Sequence, residues 1–245
     1  MRNTLLATAA ALTISAPAFA GPTFILNDVG GVGVGTQARA GFTAAAALWS
    51  SVFSNKVTID LNVGFQALGK GVLGQTGSTS NDVSYTNVRS ALTRDATSVD
   101  DRSAVASLAP TLSFMSNTLS GGVTNATTHI LENNQANRDT QYLSANTADQ
   151  KALGLISAQS ATVDASITFS SALKWTFDAS QGVAKGTYDF VGIAAHEIGH
   201  ALGFVSGSIL PTPTPMPARP ASIRPRGAPR SICSATTPRA HATGL

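Results

Sequence analysis

One cysteine, Cys233, stands among 245 residues, and a lone thiol excludes a small fold stapled by internal disulfides. Charge is scarce as well. Asp, Glu, Lys and Arg make up 12% of the chain and apolar residues 43%, against about 25% charged residues in an ordinary soluble domain. A disordered polyelectrolyte is excluded, and the apolar content suffices for a core. Beyond the first twenty residues no run approaches the roughly 18 apolar residues that span a bilayer, so no transmembrane segment is expected. The formal charge of +3 is equally uninformative as a sum. Arg219, Arg224, Arg226, Arg230 and Arg239 follow Ser208 with no acid among them, and residues 21–208 carry 10 basic against 13 acidic groups. The positive balance belongs to the tail, and a nucleic-acid-binding surface is not implied.

What is present begins with an export signal. Arg2 forms a charged start, residues 5–16 are mostly apolar, and Ala18-Phe19-Ala20 precedes Gly21 as a small-x-small cleavage site. Residues 1–20 therefore read as a secretory signal peptide, with a soluble mature chain acting outside the cytoplasm, in the periplasm or the medium.

The mature chain reads as α+β. A short strand at 24–26 leads into Gly30, Gly31, Gly33 and Gly35, which lack the Lys-Ser/Thr of a phosphate-binding loop and so read as a turn. Phe42, Ala45, Ala46, Trp49, Val52 and Phe53 recur at helical spacing over 38–53. Residues 57–65 alternate apolar and polar, the pattern of a half-buried strand. The Gly/Ser/Thr-rich stretch 69–81 reads as a loop, and helices are expected over 87–96 and 100–108, the second ended by Pro110. Residues 111–160 read as a long, partly irregular excursion holding a short strand near 129–131. Segments 163–169 and 173–177 alternate like strands and are expected to pair with each other.

The chemistry-bearing segment is TYDFVGIAAHEIGHALGFVSG, residues 187–207. It places His196, Glu197 and His200 in an H-E-x-x-H arrangement, so both imidazoles share one helix face and can reach one metal ion, with Glu197 beside it to hold a water. Shuffling a chain with four His and two Glu yields this pattern with a probability of roughly 4 in 10,000, so chance is a poor explanation. Val191, Ala194 or Ala195, Ile198, Ala201 and Leu202 supply an apolar face away from the histidines. Gly199, costly inside a helix, implies close packing, and Gly203 is placed to end the helix. Asp189 reads as an acid favouring the helix N-terminus, with a supporting role behind the metal ligands as the alternative.

Through HEIGHALGF at residues 196–204, the chain resembles exported bacterial zinc metalloproteases of the zincin class, of metzincin-like type. The resemblance implies a zincin-like twisted sheet with an active-site helix over residues 21–207, zinc held by His196 and His200, Glu197 as general base, and a peptide or protein substrate. It also implies a third ligand three residues after the glycine, where this chain has Ser206, and a Met-turn that is missing. No acid follows Glu197, so Cys233 and His241 are the usual ligand types that remain downstream, with His129 upstream.

Residues 209–245 hold eight of the eleven prolines and no aromatic residue or acid, a composition that predicts a disordered Pro/Arg-rich tail over 208–245. The alternative to an enzyme is a non-enzymatic exported surface or binding protein with an incomplete metal site. The composition break coincides with the missing ligand, which predicts a change of reading frame near Ser208. Translation of the other two frames of the coding DNA should then yield a continuation rich in acids or histidine, and its absence would count against the shift.

Overall fold

The structure, a computed structural model, describes residues 21–120, 123–136, 138–205 and 232–236. The expected signal peptide, Ser206 and His241 lie outside the described residues, as does the tail apart from 232–236. The chain runs β1 (Thr23–Gly30), α1 (Gln37–Val52), β2 (Thr58–Gln66), β3 (Val72–Ser78), β4 (Ser80–Ser84), α2 (Tyr85–Asp95) and α3 (Val99–Ser107). It continues through β5 (Phe114–Ser120), β6 (Val123–Glu132), β7 (Tyr142–Asn146), α4 (Thr147–Ala152), β8 (Ala165–Ser170), β9 (Trp175–Thr176), β10 (Tyr188–Asp189), α5 (Phe190–Ala201) and β11 (Ile232–Thr236). This is an α+β fold. Among the described residues no helix is long and apolar enough to cross a membrane.

The main sheet has the order β1-β2-β8-β3-β11. β1, β2 and β8 run parallel, while β3 is antiparallel to β8 and β11 antiparallel to β3. Helix starts are set by local polar groups: the Thr36 hydroxyl accepts from the Arg39 N–H at α1, and Ser98 with Asp101 forms a capping box at α3. The glycine-rich turn after β1 closes on Asp28, whose Oδ1 accepts from the N–H groups of Gly30 and Val32 at 2.8 and 2.9 Å.

Three expectations are corrected. The stretch 69–81 is not a loop, because it contains β3 and the start of β4. Its inward positions, Gly74, Thr76 and Ser78, are small or polar, so the strand carries no apolar alternation to announce it. The segments at 163–169 and 173–177 do not pair. β8 already has β2 on one edge and β3 on the other, and a strand has only two edges, so β9 pairs with β10 instead. The excursion 111–160 is more regular than its composition suggests, holding the β5–β6 ladder, β7 and α4. Within the stretch expected as a tail, residues 232–236 pair antiparallel with the edge of β3.

The core lies between the sheet and helices α1 and α5. Phe42, Phe169 and Phe190 are each fully buried and meet at ring-centroid distances of 4.6–5.3 Å. Gly41 lets α1 approach α5, since a Cβ there would stand 2.5 Å from the Phe190 ring. At one end of the sheet, Lys151 and Asp164 form a fully buried ion pair with Nζ–Oδ2 at 2.6 Å. Every strong group is answered: Lys151 Nζ also donates to the Thr58 carbonyl, and Asp164 accepts from the Thr147 hydroxyl and the Asp60 N–H. This knot ties α4 to β2 and to the start of β8.

A buried pair broken on one side leaves an uncompensated charge. Lys151→Met should therefore cost about 3–5 kcal/mol in urea unfolding, and adding Asp164→Leu should restore most of the loss. Equal stability of Lys151→Met and wild type would show that the pair does not hold this corner.

Candidate metal centre

Helix α5 supplies all three motif side chains, and its two faces do different jobs. Phe190, Ala194, Ile198 and Ala201 point into the core, whereas His196 is exposed. His196 and His200, one turn apart, face each other with their Nε2 atoms 3.0 Å apart. That is hydrogen-bond distance, and two nitrogens bound to one zinc ion at 2.0–2.1 Å in tetrahedral geometry would be about 3.3 Å apart, so these two residues could hold a metal at two positions. The His200 Nδ1 lies 2.7 Å from the Phe204 carbonyl. A carbonyl only accepts, so Nδ1 carries the proton and the lone pair of His200 sits on Nε2, toward His196. Gly203, with φ of 95°, ends the helix in the left-handed region and turns the chain so that Phe204 can make this contact.

Glu197 points elsewhere. Its side chain is fully buried beneath β3, where the Thr76 hydroxyl lies 2.7 Å from Oε2 and 3.0 Å from the Glu197 carbonyl. One hydroxyl has one proton, and the nearer acceptor, the side-chain oxygen, takes it. Oε1 is buried with no hydrogen-bond partner. Burial pushes the Glu197 carboxyl above its ordinary range, while the Thr76 bond and the two imidazoles pull it down.

Four further contacts fix the helix. The Trp49 Nε1–H donates to the Ala195 carbonyl at 2.9 Å, and the same ring lies 3.1 Å from where a Cβ on Gly199 would stand. That proximity is the close packing expected of Gly199. At the C-terminal end, the Ser78 hydroxyl and the Asn146 side-chain amide donate to the His200 carbonyl at 3.1 and 3.0 Å.

No family model, curated protein or solved structure matches the chain. The site is therefore read from its own geometry. His196, Glu197 and His200 come together on one helix, and Asp189 stands at its N-cap, with Oδ1 buried and without a partner. An N-cap seven residues before His196 is about 10 Å along the axis from it, so Asp189 sits at the helix start, away from the imidazoles. His129 falls in β6 and Cys233 in β11. Among the described residues no three His, Cys, Asp or Glu side chains cluster as a metal site.

Sequence reasoning missed Thr76, Gly74 and Ser78. A period-two row of small polar residues was the available signal, and it is weak because loops share that composition. The Phe204 carbonyl carries no side-chain signal at all.

Below the C-terminal end of α5, Asp149 lines a cavity of about 90 Å³ with Phe53, Ile59 and Leu202. A Cβ on Gly203 would collide with its carboxylate. Burial pushes the Asp149 carboxyl from 3.8 up to about 6. The fold thus favours its protonated form, a contribution fully present below the unfolded value and lost as pH rises through about 6. Asp149→Asn should flatten the fall in urea midpoint over that window, and an unchanged pH profile would contradict the assignment.

Proposed function

We propose that this chain is a secreted zinc-dependent metalloprotease, zincin-like and of metzincin-like type, that hydrolyses peptide bonds in a peptide or protein substrate. The observation that carries the reading is the pairing, on one helix, of two facing imidazole Nε2 atoms with a buried glutamate held on one oxygen. The order of parallel strands with antiparallel β3 beside α5 supports the zincin-like part, and the Ala18-Phe19-Ala20 site supports export.

His196 and His200 would hold the zinc ion. When bound, zinc supplies Lewis-acid polarisation and acidifies water towards a pKa of about 7. Glu197 does the proton work. It accepts a proton from the attacking water as the water oxygen adds to the peptide carbonyl carbon. The C–N bond then breaks, and the same proton passes to the leaving nitrogen. The low-dielectric surroundings of Glu197 raise its basicity, which suits a group that must take a proton near neutral pH.

A second reading, an exported non-enzymatic surface or binding protein, is favoured by one observation. Ser206 stands where the motif's third ligand belongs, and among the described residues no three-member ligand group occurs. A cleavage assay separates the two. Glu197→Gln should lower kcat/KM on a quenched-fluorescence peptide library by about 10²–10⁴-fold, with zinc content unchanged. Equal cleavage by the variant would sink the protease reading, and no cleavage by wild type would favour the binding protein.

A further inference from the structure

We propose that Thr76 is the positioning residue of Glu197: its hydroxyl holds Oε2 and so assigns Oε1 the task of meeting water. The proposal rests on the hydrolase reading above. Thr76 and Glu197 are both essentially fully buried, so their 2.7 Å bond is shielded from competing solvent. The terminal torsion of a glutamate is broad and nearly two-fold, and an unheld carboxylate would exchange its oxygens freely. A donor on one oxygen ends that equivalence.

The other oxygen is the informative one. Oε1 is buried without a partner, and a buried carboxylate oxygen lacking a donor is costly. A water bound there would satisfy it and would be the molecule that Glu197 deprotonates. Gly74, two residues from Thr76 on the same face of β3, borders this place. A Cβ on it would stand 3.1 Å from Oε1 and 3.2 Å from Cγ, so glycine lets β3 pack directly against the carboxyl group. One strand thus anchors one oxygen and packs closely beside the other.

The chain has two glutamates, Glu132 and Glu197, so a full chain labelled at the glutamate carboxyl carbon gives two resonances, assigned with Glu132→Gln. In zinc-free protein, Thr76→Val should move the Glu197 resonance, and Thr76→Ser should restore it. In zinc-loaded protein, Thr76→Val should lower kcat by about 10- to 100-fold with KM and zinc affinity unchanged, again with rescue by serine. Thermal melting reports folding, and Thr76→Ala carries the same reading if valine prevents it. Gly74→Ala should lower kcat while leaving Thr76 in place. An unmoved resonance in Thr76→Val, or serine failing as valine does, would overturn the proposal. Wild type without Glu197-dependent cleavage would sink the hydrolase reading alone, since the resonance still decides whether Thr76 holds the carboxylate.

Discussion

A buried carboxyl group on the inner side of a core-facing helix is the constraint around which this fold is arranged. Glu197 sits one position from His196, about 100° around the helix, so exposing the imidazoles turns the carboxylate toward the sheet. An apolar strand there would leave it unanswered at a cost of several kcal/mol. β3 meets it with Gly74, Thr76 and Ser78 at the inward positions, small enough for close approach and polar enough to answer both the carboxylate and the helix carbonyls.

The remaining elements hold α5 against that strand. α1 packs along it through Gly41 and Trp49, the latter bonding the Ala195 carbonyl in the turn that precedes the motif. The Phe42, Phe169 and Phe190 cluster fixes the start of α5 over the parallel strands. Asn146, just before α4, bonds its end. α4 is in turn tied to the sheet through Lys151 and Asp164. The motif helix is thereby held at its start, its middle and its end, while the imidazoles remain on the open side.

Periodicity made the apolar parts of this arrangement legible. α1 and β2 carry strong 3.6- and 2-residue patterns and lie within a residue or two of where those patterns put them. The H-E-x-x-H segment announced both the helix and the two imidazoles that face each other on it. β3 was illegible for the reason that makes it useful: a strand that must satisfy a buried carboxylate cannot also be an apolar strand, and its residues resemble a loop. The mispaired β8 and β9 failed differently. Local alternation gave the strands correctly in kind, but their partners depend on which sheet edges are already taken, which no local pattern records. The tautomer of His200 is set by a backbone carbonyl and is invisible in any sequence.

On the proposed reading, α5 presents a zinc-binding pair. Its most direct test is the metal content of the purified chain, by elemental analysis after dialysis against a weak chelator, alongside His196→Ala and His200→Ala. Close to one zinc per wild-type chain is expected, with loss of it in each variant. A wild-type chain that retains no zinc, or variants that retain as much as wild type, would contradict it.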